Sequence, residues 1–123
     1  MRRVPRLGTF VLVLVLATIM FSCATFKENT YKSLYSAGVT YDVAMKVAVD
    51  LKNEGKISEP QWVVVMTIAN DYYVAYHVAV DAFETYIKTD ATADKDKLAV
   101  ALADMSGKLS KIVDYVNRLQ GGV

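Results

Sequence analysis

The residues with the greatest capacity for chemistry in this sequence surround its single histidine. His77 is followed one helical turn later by Asp81, a spacing that would suit an acid–base pair or two metal ligands. Glu84 lies two turns from His77, beyond direct contact, and a metal ion would need a further ligand that no second histidine supplies. We therefore interpret His77 as a boundary residue, hydrogen-bonded to a carboxylate or to a tyrosine hydroxyl.

The eight tyrosines suggest a second kind of site, an aromatic pocket for a small ligand or a glycan. Tyr41, Tyr73, Tyr76 and Tyr86 fall on helix seams that are predicted below. Packing in a core, with hydroxyl groups reaching its edge, therefore accounts for these tyrosines without a ligand.

Four aspartates near the C-terminus raise the question of a calcium site: Asp94, Asp96, Asp104 and Asp114. Their spacing lacks the order and the turn glycine of an EF-hand loop, so they indicate a solvated helix face. The sequence also lacks a nucleophile elbow and a glycine-rich phosphate loop. We predict no enzymatic activity, no metal and no cofactor.

The composition of the chain excludes further classes of protein. The chain has 123 residues, one cysteine and a formal net charge of +1, with 14 basic against 13 acidic residues. One domain at most fits this length, and the charge balance gives no field that would attract nucleic acid. Two prolines and six glycines argue against disorder and against a turn-rich β fold.

The N-terminal segment has the pattern of an export signal. Arg2, Arg3 and Arg6 form a positively charged start, and residues 7–21 are largely apolar. This apolar stretch is short for a bilayer span, which needs about 20 residues. We interpret residues 1–22 as a signal peptide and exclude them from the folded domain.

The apolar stretch ends at Ser22-Cys23, which contains the only cysteine of the chain. This arrangement resembles the lipobox of bacterial lipoproteins. The resemblance implies that the signal is removed before Cys23, whose sulfur carries a diacylglycerol and whose new amino group is acylated. Ala24, rather than an aspartate, follows the cysteine; the resemblance then favours the outer membrane over the inner one, facing the periplasm.

Two other interpretations of this segment stay open. Ser22-Cys23-Ala24 also fits ordinary signal cleavage, which would release a soluble protein after Ala24. Alternatively, an uncleaved segment extending through Phe26 would serve as a transmembrane anchor.

Residues 23–123 show an apolar period of about 3.5 residues in three helices, predicted at about 26–54, 59–88 and 93–119. The first and third helices each carry one apolar stripe. In the first helix the stripe is Leu34, Ala37, Tyr41, Ala44, Ala48 and Leu51. In the third helix it is Leu98, Leu102, Met105, Leu109, Ile112, Val116 and Leu119.

The second helix carries two predicted stripes, so we expect it to be the central one. The first stripe is Trp62, Met66, Ala69, Tyr73, Tyr76, Val80, Phe83 and Ile87. The second is Val64, Ile68, Ala75, Ala79, Ala82 and Tyr86. A β-strand over residues 62–66 is the competing prediction, because β-branched residues favour sheets. The heptad that continues to Ile87 favours the helix.

Start and stop signals agree with this division. Capping boxes are predicted at Thr25–Glu28 and at Ser58–Gln61, and Gly55 is predicted to end the first helix. Residues 89–93 form a short polar connection, and Gly121 ends the third helix. Because short connections make consecutive helices antiparallel, the predicted fold is all-α, an up-down-up three-helix bundle after the lipidation segment.

Several valines lie off the predicted seams: Val63, Val74 and Val78 on the second helix, and Val39 and Val43 on the first. Scattered valines are ordinary on a surface. A contiguous patch would indicate an interaction surface for a partner protein, a second copy or the membrane. The sequence leaves both possibilities open.

The chain is also similar, in its general pattern, to small helical lipoproteins of bacterial and prophage genomes. We expect a non-enzymatic lipoprotein, held to the membrane by acylated Cys23, with a structural or protein-interaction role in the cell envelope. Its partner would be an envelope protein or another copy of the chain. The alternatives are a prophage-derived lysis or superinfection-exclusion lipoprotein and a small-ligand binder with a tyrosine-lined core.

Overall fold

A computed structural model describes residues 23–122, and the side chains of residues 26–122. It consists of three α-helices: α1 (Cys23–Asn53), α2 (Glu59–Thr89) and α3 (Thr92–Gln120). Between residues 23 and 122 there is no β-strand, so residues 62–66 are helical. The predicted signal peptide, residues 1–22, lies outside the described residues.

The chain divides into two compact units, Met1–Ser33 and Leu34–Val123. In the described part of the first unit, Phe26 and Thr30 are buried, and Lys32 lies 3.6 Å from Glu28 in an exposed ion pair. The second unit contains the rest of α1 together with α2 and α3. These helices form the predicted all-α three-helix bundle.

One end of the bundle shows how the three helices meet. Its core combines residues near the end of α1, the start of α2 and the end of α3. The buried members are Ala48, Leu51, Val65, Ala69, Ile112, Val116 and Leu119. Because neighbouring helices meet with opposite chain ends, the up-down-up topology is confirmed.

The start of α1 differs from the prediction. Thr25 lies inside the helix, which already includes Cys23, so the predicted capping box at Thr25–Glu28 is wrong. The residue before it, Ala24, is an alanine, which has the highest helix propensity of the amino acids and therefore favours continuation of the helix.

The end of α1 is as predicted. Gly55 has a φ of +71°, a conformation that glycine adopts without steric cost. The Lys56 N–H donates to the Leu51 carbonyl at 2.9 Å, and the Gly55 N–H donates to the Lys52 carbonyl at 3.0 Å. This pair of bonds is a Schellman motif, which satisfies the last carbonyls of the helix.

The capping box of α2 is confirmed. The Ser58 N–H donates to Gln61 Oε1 at 2.8 Å, and the Gln61 N–H donates to Ser58 Oγ at 3.2 Å. Pro60 lies in the first turn, where its missing N–H costs no hydrogen bond. Lys52 of α1 contacts Trp62 of α2 near this cap, with its ammonium 5.4 Å from the ring centre in a cation–π interaction.

The connection from α2 to α3 is shorter than predicted. Only Asp90 and Ala91 separate the helices, because Asp90 adopts a left-handed conformation with a φ of 53°. Its N–H donates to the Tyr86 carbonyl at 2.8 Å. An aspartate tolerates this conformation better than most non-glycine residues, so the chain reverses within two residues.

The predicted stripes are confirmed for α1 and α3 but are partly wrong for α2. Met66, Tyr73 and Ile87 were expected to be buried and are about half exposed, and Val64 is also exposed. The buried seam combines members of both predicted stripes with Val65 and Tyr72, which neither stripe contained: Val65, Ala69, Tyr72, Ala75, Ala79, Phe83 and Tyr86. A helix between two neighbours buries the residues that face the space between them, and each predicted stripe supplies part of that seam.

Candidate interaction surface

The off-seam valines are all exposed. On α2, Val63 and Val74 are each 55% exposed and Val78 is 53% exposed. On α1, Val39 and Val43 are 45% and 59% exposed. Exposure alone does not distinguish scattered residues from a patch, so their neighbours on each helix decide the question.

On α2 these valines belong to a continuous surface, which we call the α2 outer face. It lies opposite the buried seam, and every member is exposed. Its residues are Val63, Met66, Thr67, Asn70, Tyr73, Val74, His77 and Val78. On α1, by contrast, Val39 and Val43 alternate with exposed Asp42 and Lys46, so there the valines are scattered among charges.

The α2 outer face is almost without charge. Between Glu59 and Asp81 the only ionised side chain of α2 is Asp71, at the edge of the face. Asp81 and Glu84 mark where the uncharged stretch ends. A helix surface made chiefly for solubility would carry charges at these positions.

The polar side chains on this face differ in how far they are hydrogen-bonded. The Thr67 hydroxyl donates to the Val63 carbonyl at 2.9 Å, so it is satisfied within its own helix. The side-chain amide of Asn70 has two donors and an acceptor, and it forms no hydrogen bond with any residue between 23 and 122. Asn70 is therefore the polar group of the face with the most unused hydrogen-bonding capacity.

The ring of His77 lies against tyrosines rather than against a carboxylate. Its centroid is 4.4 Å from that of Tyr73 in an edge-to-face arrangement, and 6.2 Å from that of Tyr76. Both His77 and Asp81 are exposed, and the described structure shows no ion pair between them. This arrangement fixes the His77 ring on the surface and does not assemble an acid–base pair.

Another tyrosine cluster lies inside the bundle, between α1 and α2. Tyr41 stacks on Tyr72 with ring centres 4.6 Å apart, and Tyr72 lies 5.8 Å from Tyr76. Gly38 lies beside this cluster, where a Cβ atom would be 3.7 Å from the Tyr76 hydroxyl. Tyr41 and Tyr76 are therefore at the seam as predicted, whereas Tyr72 takes the buried place expected for Tyr73.

The Tyr72 hydroxyl is buried and has no hydrogen-bond partner among the described residues. Burial raises the pKa of its phenol above the ordinary value, and nearby Tyr76, Tyr41 and Asp42 raise that pKa further. The pKa of Tyr41 is also raised, chiefly by burial. Both phenols are therefore neutral at physiological pH and act as apolar packing groups.

A shallow, open depression lies at the α2 outer face. Its lining residues are Trp62, Val63, Met66, Thr67, Asn70 and Asp71. A depression this open suits contact with a flat partner surface better than enclosure of a small molecule.

The acidic residues do not converge. Among the described side chains, those of residues 26–122, no three of His, Cys, Asp or Glu lie close enough to hold a metal ion. Asp94 accepts a hydrogen bond from the Thr89 hydroxyl, and Asp104 lies 2.9 Å from the Lys108 ammonium. These aspartates act in local contacts at the surface of α3.

Cys23, the predicted lipidation residue, is the first residue of α1, and the structure describes its backbone alone. By length and composition, α2 is the one described helix apolar enough to cross a membrane. Only 28% of its most apolar stretch is buried in the bundle, because the seam uses one face and the α2 outer face is apolar as well.

Sequence reasoning identified the three valines of this face and missed its other five members. Met66 and Tyr73 were assigned to a seam, although their exposure and that of Asn70 extend the surface between Val63 and Val74. The sequence gives little signal for these residues, because Asp71 is the only charged residue of α2 between Glu59 and Asp81. A comparison of the chain with protein-family models, with curated proteins and with solved structures finds no match.

Proposed function

We propose that this protein is a non-enzymatic lipoprotein of the bacterial cell envelope, anchored through acylated Cys23, with a structural or protein-interaction role. One observation carries the proposal: three arginines, an apolar stretch and Ser22 lead directly to the only cysteine of the chain. Acylation accounts both for that cysteine and for the lack of a second one, since an exported chain with one unmodified thiol would be reactive.

The charge of the exported part supports anchoring by lipid rather than by electrostatic attraction. Removal of residues 1–22 leaves 11 basic and 13 acidic residues, a formal charge of −2. A slightly acidic domain gains nothing from anionic headgroups, so stable association with the membrane would depend on acyl chains.

A contact function is supported by what the bundle exposes. The α2 outer face carries no charged residue among its members, and all of them are exposed, with Val63, Met66, Tyr73, Val74 and Val78 about half exposed. Exposed apolar surface of this extent is characteristic of interaction sites. A role through binding therefore accounts for more of the molecule than a catalytic role would.

The intact mass of the full-length protein, extracted from membranes with detergent, tests the anchor. We expect a mass that lacks residues 1–22 and includes a diacylglycerol and a further acyl chain. Cys23→Ser is the matched control, because one oxygen replaces the acceptor sulfur and the rest of the signal is unchanged.

The two competing interpretations give different masses in this experiment. A mass corresponding to residues 25–123 would show release after Ala24, and an unmodified chain that retains residues 1–22 would show an uncleaved anchor. Either result would overturn the lipoprotein assignment. Density-gradient separation of the two membranes then tests the expected location, which is the outer membrane.

A further inference from the structure

The α2 outer face repeats the spacing that the helices use inside the bundle. Val63, Met66, Asn70, Tyr73 and His77 follow one another at intervals of 3, 4, 3 and 4 residues. This is the alternation of the a and d positions of a heptad, and here it faces solvent. Val63 and Tyr73 are 55% exposed and Met66 is 46% exposed, so each offers about half of its surface to a partner.

The charges around the face argue against a membrane surface and against a strongly charged partner. Helices that lie on membranes carry Lys and Arg beside their apolar face. The nearest ionised residues on α2 are instead acidic: Glu59, Asp71 and Asp81. An uncharged face with an acidic border is best matched by another uncharged face, and a copy of the same face supplies one.

Asn70 gives such a pairing its register. We propose that two copies of this chain associate through the α2 outer face, with the two α2 helices parallel and in register. Asn70 then meets Asn70 of the other copy, where one amide donates to the carbonyl oxygen of the other. A single asparagine at an a position favours a two-stranded parallel pair, because any shift leaves its amide unsatisfied.

The extent of the face is sufficient for a modest dimer. Its eight half-exposed residues offer on the order of 600 Å² per copy, so a pair would bury about 1,200 Å², the lower limit of specific interfaces. The contact would end before residue 81, because Asp81 and Glu84 would face their counterparts with like charge.

The parallel orientation rests on the proposed anchoring function. Leu34, the first residue of the second unit, belongs to the end of the bundle where α2 finishes and α3 begins. Parallel α2 helices place this end of both copies on the same side, as two chains anchored in one membrane require.

Disulfide trapping in the full-length chain tests the register. We expect both Asn70→Cys and Val63→Cys to yield covalent dimers under mild oxidation, because both are a positions that face their counterparts. Gly107→Cys, on the exposed side of α3 with no atom within 4 Å of an added Cβ, is the matched control and should yield no covalent dimer.

Two outcomes of the trapping would overturn the proposal. Equal trapping at Gly107→Cys would show random collision. Trapping of Asn70→Cys without Val63→Cys, together with a mixed disulfide between Val63→Cys and His77→Cys chains, would show an antiparallel pair. The wild-type chain distinguishes failure of the lipoprotein proposal from failure of the dimer proposal. A wild-type dimer linked by a disulfide between two Cys23 residues would show that Cys23 is a free thiol. That result would contradict acylation and would not count against the α2 interface.

A charge substitution tests the same surface without a crosslink. Val74→Lys should raise the dimer dissociation constant at least tenfold, measured by sedimentation of the detergent-extracted protein. Val43→Lys on α1 is the control, since Val43 is equally exposed and lies outside the face. A monomeric wild-type chain, or a Val74→Lys chain that dimerises as well as wild type, would contradict the proposal, provided circular dichroism shows unchanged helicity.

Discussion

The outer surfaces of α2 and α3 differ far more than their inner ones. Both helices contribute a regular seam to the core, through Val65, Tyr72 and Phe83 on α2 and Leu98, Met105 and Ile112 on α3. On the outside, α3 exposes charged side chains along its length: Asp96, Lys97, Asp104, Lys111, Asp114 and Arg118. Its only exposed large apolar residue is Val100, whereas α2 exposes seven.

This difference shows that the fold requires the apolar inner faces of the helices but does not require an apolar outer surface. A three-helix bundle needs one apolar face from each helix, and α3 shows that a charged outer surface is compatible with that role. The apolar residues of the α2 outer face are therefore not explained by the core. They are the residues that the proposed contact through the α2 outer face would use.

The largest expected effect is a loss of stability from a substitution on the buried face of α3. Ile112→Ala removes three carbons from a fully buried position, so we expect a loss of about 2–4 kcal/mol in the free energy of unfolding. Val100→Ala, at a position that is 71% exposed on the same helix, should change it by less than about 0.5 kcal/mol. Urea denaturation of both variants measures the difference, and similar losses would mean that the assigned faces of α3 are wrong.

Adjacent tyrosines test the two faces of α2. Ionisation of Tyr72 is disfavoured in the folded state because burial raises its pKa, whereas the same phenol ionises near its ordinary value in the unfolded chain. The unfolded state therefore loses this proton first, and stability falls above about pH 10 by up to about 1.4 kcal/mol per pH unit.

Tyr72→Phe should reduce that alkaline loss, and at neutral pH it should be neutral or stabilising by up to about 1 kcal/mol, because it removes an unpaired buried hydroxyl. Tyr73→Phe, at the exposed neighbour, should retain most of that alkaline loss, because the buried phenol of Tyr72 is still present. Thermal unfolding between pH 7 and 11 distinguishes them, and identical curves for the two variants would contradict the burial of Tyr72.

The helix starts offer a third contrast. α2 begins with the Ser58 capping box, whereas Ala91, at the N-cap of α3, makes no side-chain cap hydrogen bond. We expect Ser58→Ala to lower the free energy of unfolding by about 1 kcal/mol and Ala91→Ser to raise it by about 0.5 kcal/mol. If Ser58→Ala has no effect on the denaturation midpoint, the capping box contributes nothing in solution.

The smallest effect concerns the outer surface of α3. Gly107 lies inside the helix with open space around it, so Gly107→Ala should stabilise the protein by about 0.5–1 kcal/mol. Gly55→Ala is the opposite control, because the φ of +71° there strains any residue with a Cβ. Melting temperatures that move in the same direction for both variants would contradict this assignment.

The sequence predicted the helices well, and it predicted the faces of α1 and α3, because charged residues on those helices show which side meets water. On α2 the stretch from residue 62 to 78 contains a run of three valines and a pair of tyrosines, with one charge among them. Nothing local distinguishes Val65 from Val64 or Tyr72 from Tyr73, so only packing against two neighbours fixed the rotation of the helix. The lack of charge that made the phase of α2 unpredictable is also what makes its outer face a candidate for binding.

The two-residue reversal at Asp90 also affects the order in which the helices assemble during folding. It joins α2 and α3 into a helical hairpin whose contacting residues are close along the chain, and short loops cost the least entropy to close. The connection from α1 to α2 spans five residues, so its closure costs slightly more. We therefore expect the hairpin of α2 and α3 to form early in folding, with α1 docking onto a surface that is already assembled.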